Sequence, residues 1–169
     1  MQARAAARED APTIASIYNQ GIEGRLATFE TRLRLPEEIC TWFDGVHPIV
    51  VVEEGHEIIA FAATSVYRPR ECYAGVAEFS VYTARECRGR GAGRLAMKAL
   101  LELAESAGYW KLVSRVFVEN VPSRALLNSL DFREVGIYEK HAQLDAVWRD
   151  VVIVERLIPA NLHSTGSQG

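Results

Sequence analysis

A short run of glycines and arginines, set between a strand-like and a helix-like stretch, constrains this chain more than any other feature. The run is Arg88-Gly89-Arg90-Gly91-Ala92-Gly93-Arg94. Before it, Val76-Ala77-Glu78-Phe79-Ser80-Val81-Tyr82 reads as a strand. After it, Leu95, Ala96, Ala99, Leu100, Leu103 and Ala107 recur at helical spacing and share one face. A glycine-rich turn leading a strand into a helix leaves backbone N–H groups unpaired at the helix N-terminus. Together with the helix dipole they form an anion site. Glycines let the backbone approach a ligand closely, and the arginines add positive charge. The ligand suited to this turn carries a phosphate or pyrophosphate.

Three phosphate-loop patterns compete. A P-loop requires a Gly-Lys-Ser/Thr ending, which the chain lacks. A dinucleotide fingerprint requires G-x-G-x-x-G and an acidic residue about 20 positions later at a strand end. The glycines fall at 89, 91 and 93, and the next strand, Leu112 to Val118, carries Arg115 and no acid before Glu119. The third pattern, R-x-x-G-x-G, is met by Arg88, Gly91 and Gly93. A glycine-rich turn with no ligand is the plain alternative, and the rest of the chain argues against it.

The other strand-like and helix-like segments predict one α/β domain. Residues 2–7 read as a short first strand. Asp10 caps a helix with Pro12 in its first turn and Ile14, Ile17 and Tyr18 on one face, closed by Gly21 and Gly24. Pro36-Glu37-Glu38 opens a second helix that carries Ile39, Trp42 and Phe43. Pro48–Glu53 and Glu57–Ala63 flank Glu54-Gly55-His56 as a hairpin. After the long helix, Leu112–Val118 is a strand, Pro122 and Ser123 open a short helix, and Phe132–Tyr138 and Val147–Leu157 form a final strand pair. The order is β-α-α-β-β-β-α-β-α-β-β, a mixed sheet with helices. Residues 159–169 read as a polar tail without order.

Composition narrows the partners. A chain of 169 residues can bury a sizeable core. A net charge of −3 gives no polybasic field for nucleic acid or an anionic membrane. No apolar run approaches a membrane span, and the first ten residues lack the long apolar region of a signal peptide. Cys40, Cys72 and Cys87 are odd in number and dispersed, so neither a disulfide framework nor a metal cluster follows from them. The expectation is a cytoplasmic protein with reduced thiols and no metal.

Further motifs carry a resemblance. Asn120-x-x-Ser123-x-x-Leu126, followed by Asp131-Phe132, is similar to the second cofactor motif of the GNAT N-acetyltransferases. In that family R-x-x-G-x-G holds the pyrophosphate of an acyl-CoA. The likeness spans residues 2–158 and is closest to the phosphinothricin, methionine sulfoximine and arsinothricin N-acetyltransferases. It rests on Ala27-Thr28-Phe29-Glu30-Thr31 with Pro36-Glu37-Glu38, on Arg70-Glu71-Cys72-Tyr73, on Glu78-x-x-Val81-Tyr82, and on Trp148-Arg149-Asp150-Val151.

The resemblance implies a mostly antiparallel GNAT sheet and acetyl-CoA as co-substrate. It implies that Val81 and Thr83 offer backbone groups to the pantetheine arm, that Arg88 to Arg94 hold the pyrophosphate, and that Asn120 and Ser123 hydrogen-bond the pantetheine. It makes Glu78 the general base and the acceptor the α-amino group of a glutamate-like antimetabolite, so that acetylation confers resistance. It also implies a homodimer.

The residues themselves add chemistry. An α-ammonium must lose a proton before it can attack, and Glu78 stands mid-strand among apolar neighbours, where desolvation would raise its pKa toward the range of a working base. The plain alternative is an outward-facing residue or a structural ion pair. A backbone N–H near Val81 or Tyr82 would face the oxyanion. Many family members place a tyrosine after the Leu126 position, but this chain has Leu127, which cannot donate. Tyr138, His141 and water stay open as the acid. Asp131 replaces the usual glycine before Phe132, and aspartate tolerates positive φ better than most residues.

Arg68 and Arg70, flanking Pro69, suit a carboxylate, phosphinate or arsonate. Phe29, Thr31 and Tyr73 are candidate pocket walls, and His141 a candidate in the link between the last two strands. Trp148 and Asp150 read as packing or dimer contact. Two other functions remain: a GNAT enzyme acting on peptide N-termini or polyamines, and a non-catalytic acyl-CoA sensor. Arg68 and Arg70 weigh against polyamines, and Glu78 and Asn120 against the sensor.

Overall fold

Seven strands form one sheet in the spatial order β1-β2-β3-β4-β5-β7-β6. The strands are β1 (Gln2–Ala5), β2 (Ile49–Glu54), β3 (Glu57–Val66), β4 (Val76–Thr83), β5 (Lys111–Phe117), β6 (Arg133–Leu144) and β7 (Val147–Leu157). The helices are α1 (Ala11–Glu23), α2 (Pro36–Cys40), α3 (Ala92–Ser106) and α4 (Val121–Asn128). The computed structural model describes residues 1–163. Every neighbouring pair is antiparallel except β4 and β5. The predicted element order and the mixed, mostly antiparallel sheet are both observed.

Alternation along β4 assigns the layers. Adjacent residues of a strand point to opposite faces. Tyr82 packs edge-to-face on Tyr18 of α1, with ring centroids 5.2 Å apart. Its neighbours Val81 and Thr83 lie against Gly93 in the first turn of α3. The two helices therefore cover opposite faces, which is why Val50, Val51 and Val52 are each fully buried. Ala96, Met97, Leu100 and Ala104 form the buried stripe of α3, close to the stripe read from the sequence.

Some boundaries differ from the expectation. The first helix does not close at Gly21, which lies inside α1 and is buried. A Cβ there would come within 2.5 Å of the Tyr82 ring, so the glycine permits a close helix–strand approach. The second helix ends at Cys40, before Trp42 and Phe43. β6 is longer than Phe132–Tyr138 because it bends through an irregularity between Tyr138 and Ala142 and pairs onward to Leu144. Residues 159–161, expected in a disordered tail, form a turn, and the Asn161 amide donates to the carbonyls of Glu105 and Tyr109, each at 2.8 Å. The remainder of that expected tail, 164–169, lies outside the described residues.

The parallel pair positions the site. β4 is eight residues long, yet it pairs with β5 only through Val76, Ala77 and Glu78. Beyond Glu78 the strands part, and the seven-stranded sheet opens between them.

Candidate active site

A cavity of about 610 Å³ occupies the split between β4 and β5. On the α1 face its wall includes Glu78, Ser80 and Tyr82 of β4, Arg115 and Phe117 of β5, and Thr28 and Phe29 of the segment after α1. On the other face it meets Ser114 and Val116 of β5 with Asn120, Ser123 and Leu127 at α4. The cavity thus runs through the sheet.

Backbone polarity in the split follows from register. Phe79 O accepts from Ser114 Oγ at 2.8 Å, so it faces β5, whereas the Ala84 N–H donates to Ile59 O across β3. With a period of two, Val81 and Thr83 turn their backbone groups into the split, and Tyr82 turns its own toward β3. Of the two N–H groups expected to face an oxyanion, that of Val81 points into the split and that of Tyr82 points toward β3. Tyr82 contributes its side chain to the cavity wall instead. Burial pushes both the Tyr82 and the Tyr18 hydroxyls above their ordinary range, so both stay neutral donors.

The glycine run forms the turn expected of it. Gly89 and Gly91 adopt φ of 75° and 89°, and Gly91 is the N-cap of α3. No side chain caps that helix, so its first N–H groups remain available. Open space lies beside both glycines. Arg90 is held by Glu54 and Arg94 by Ser129 Oγ, while the Nε of Arg88 donates to Thr83 O at 3.4 Å. An unpaired strand edge leading to an uncapped helix N-terminus fits an extended ligand ending in phosphates.

Glu78 is neither outward-facing nor sealed among apolar side chains. It lines the cavity, its side chain is 31% exposed, and its Oε1 accepts from Arg115 Nη2 at 3.0 Å. Arg115 Nη1 lies 3.5 Å from His141 Nε2. Phe29 packs edge-to-face on Phe117 at 4.7 Å. Asn120 caps α4, its Oδ1 accepting from the Ser123 N–H at 3.4 Å, and its Nδ2 donates to Leu26 O at 3.3 Å. It therefore ties α4 to the segment after α1.

Several expected residues are not brought to this cavity. Thr31, Arg68, Arg70 and Tyr73, and from the expected acyl-CoA set Thr83 and Arg88 to Arg94, are not part of its wall. Arg68 lies over the Tyr67 ring at 5.2 Å, and Tyr67 meets Tyr73 edge-to-face, so these side chains pack on each other in an exposed loop. His141 belongs to the bent part of β6, not to a link: the hairpin turns at Asp145 and Ala146. Asp150 has a local task, since its Oδ1 accepts from the Lys140 N–H at 2.7 Å, where Lys140 has φ of 46°. Leu127 is buried, and Asp131 takes positive φ at 63° as expected. Arg115, Tyr18, Thr28 and Ser114 also line the cavity, beyond the candidates that the sequence offers. The signal for Arg115 was in the sequence: a charge in the middle of an apolar strand, as for Glu78.

Comparison with known proteins agrees with this geometry. The pattern of the Acetyltransferase (GNAT) family matches residues 16–132. The chain is 30% identical over 152 residues to an L-methionine sulfoximine/L-methionine sulfone acetyltransferase of Pseudomonas paraeruginosa, covering 86% of this chain and 88% of that one. It is 29% identical over 163 residues to a phosphinothricin N-acetyltransferase of Streptomyces coelicolor, covering 92% and 95%. A phosphinothricin acetyltransferase of Sinorhizobium meliloti, solved with acetyl-CoA, superposes with a TM-score of 0.89 at 24% identity, covering 99% and 94%. Among the described residues no cluster of His, Cys, Asp or Glu could hold a metal ion, and no helix is long and apolar enough to cross a membrane.

Proposed function

Because the chain belongs to the GNAT acetyltransferase family, we propose that it transfers acetyl from acetyl-CoA to the α-amino group of a small glutamate-like amino acid. Phosphinothricin, methionine sulfoximine and arsinothricin are the candidate acceptors. The observation that carries the reading is the position of Glu78, whose carboxylate stands in the cavity at the last paired residue before β4 and β5 part. The names of the relatives supply the acceptor class. We read the protein as a cytoplasmic homodimer that needs no metal, nucleic acid or membrane, and its role as resistance, since N-acetylation removes the ammonium by which an antimetabolite imitates glutamate.

Acetyl-CoA supplies the acetyl group as a thioester, with a thiolate as leaving group. The unpaired edge of β4 at Val81 and Thr83, the turn Arg88–Arg94, and Asn120 with Ser123 would hold it. The acceptor arrives as an ammonium, and Glu78 accepts its proton. The nitrogen lone pair then forms the N–C bond to the acyl carbon as the C–S bond breaks. The Val81 N–H faces the oxygen on which charge develops. The nitrogen then loses its remaining surplus proton, which passes through water to the departing thiolate, since Leu127 offers none.

Release of free thiol from acetyl-CoA tests this, using phosphinothricin, methionine sulfoximine, arsinothricin, glutamate, spermidine and a peptide as acceptors. Saturable turnover of one glutamate analogue, with weak turnover of glutamate, is the expected result. Turnover of the peptide or spermidine alone would overturn the acceptor class. Binding of acetyl-CoA with no turnover of any acceptor would replace an enzyme by a sensor.

A further inference from the structure

We propose that Arg115 is the carboxylate anchor of the acceptor subsite, and that together with Glu78 it selects free α-amino acids over amines without an adjacent carboxylate. The inference rests on the acetyltransferase reading above and goes one step further, to the feature of the acceptor that is recognised. Arg115 is the one arginine or lysine among the described residues that line the cavity. Arg68 and Arg70, the cations that the sequence offered for this task, lie outside that wall.

The pairing is the second argument. Arg115 Nη2 donates to Glu78 Oε1 at 3.0 Å, and the two side chains remain 47% and 31% exposed. A partly exposed ion pair adds little to the stability of a fold. It does, however, place a carboxylate and a guanidinium side by side in a cavity. That is the complement of an α-amino acid, whose ammonium and carboxylate also sit side by side. The ammonium meets Glu78, which takes its proton. The carboxylate meets the guanidinium fork, which can bind both oxygens at once. One guanidinium has donors for both Glu78 and a ligand. His141, with Nε2 3.5 Å from Arg115 Nη1, flanks the same group. The arrangement also orients the acceptor, because a carboxylate held at β5 points the amine toward Glu78 on β4, at the mouth of the split.

The test compares one acceptor in two forms, the free amino acid and its α-carboxamide, in the full-length protein and in Arg115→Ala and Arg115→Lys. Acetyl-CoA is saturating, and kcat and KM are read from thiol release. The unaltered protein is expected to prefer the acid on the order of 50-fold, the scale of a charge-assisted hydrogen-bonded pair. In Arg115→Ala that preference falls to within a few-fold, chiefly through KM for the acid. Arg115→Lys, which keeps the charge and loses the fork, retains an intermediate preference. A structural role alone would lower both forms together and leave their ratio intact. An unchanged ratio in Arg115→Ala, or in Arg115→Lys should the alanine variant not fold, overturns the proposal. Equal use of acid and amide by the unaltered protein overturns it as well, leaving the acetyltransferase intact. If the unaltered protein acetylates neither form, the amino-acid reading itself fails.

Discussion

The two ends of the proposed site are built in opposite ways. The proposed donor end is nearly one continuous stretch, from the edge of β4 at Val81 in the cavity wall to Thr83, Gly89, Gly91 and α3 beyond that wall. It offers mostly backbone N–H groups. The acceptor end collects side chains from distant parts of the chain: Phe29 after α1, Glu78 on β4, Arg115 on β5 and His141 on β6. Backbone groups are the same in every sequence that keeps the turn, so such an end suits a ligand that does not vary. Side chains change one at a time, so the other end can be retuned to a new acceptor without disturbing the first.

Glu78→Gln breaks the comparison most sharply. Glutamine keeps the size and can still accept from Arg115, but it cannot take a proton at neutral pH. The expected loss in kcat is 10²- to 10⁴-fold, the usual range for removing a general base, with KM for acetyl-CoA unchanged. Steady-state kinetics with each substrate varied in turn decide it. Near-normal turnover across pH would remove Glu78 as the base.

Gly91→Val tests the other end. Valine at φ of 89° is strained by roughly 1–2 kcal/mol, although open space lies beside the glycine. The turn should shift, and KM for acetyl-CoA should rise about tenfold while KM for the acceptor holds. Equal changes in both would mean that the two ends are not separable.

The same contrast explains what the sequence disclosed. The donor end was legible because its signal is contiguous: glycines between a strand and a helix, with arginines beside them. The element order was legible because hydrophobic period changes at each boundary. The acceptor end was legible in part: at Phe29 and His141, which the family resemblance pointed to and which line the cavity, and at Glu78, where a charge interrupts an apolar strand. Arg115 carried the same mark, but nothing local says that β4 and β5 splay and bring the two together. That depends on the pairing of β4 with β5 ending at Glu78. Arg68 and Arg70 show the complementary case: their spacing suits an anion, yet both lie outside the cavity wall, with Arg68 over the Tyr67 ring.

Phe29→Ala asks whether the segment after α1 belongs to the acceptor end. The ring packs on Phe117 beside a small cluster with Leu144 and Val151. Removing a half-buried ring should cost about 1–2 kcal/mol of stability, below the range for a fully buried phenylalanine. KM for the acceptor should rise severalfold and KM for acetyl-CoA should not. Thermal unfolding and the two KM values are the readouts, and a rise confined to acetyl-CoA would move this segment to the donor end.

Asp150→Ala has the smallest expected effect and the sharpest control. The Asp150 carboxylate holds the Lys140 N–H in the bend of β6 that carries His141 to the cavity. Losing that acceptor should cost about 1 kcal/mol and raise KM for the acceptor twofold to threefold, because His141 becomes less well placed. Asp150→Asn separates hydrogen bonding from charge, since its side-chain oxygen can still accept from the same N–H. Hydrogen exchange at the Lys140 amide should quicken in Asp150→Ala and stay near normal in Asp150→Asn, with acceptor KM following. If both variants behave alike, the charge of Asp150 matters and not its hold on the bend. The acceptor end would then depend on its wider electrostatic field as well as on the side chains that line it.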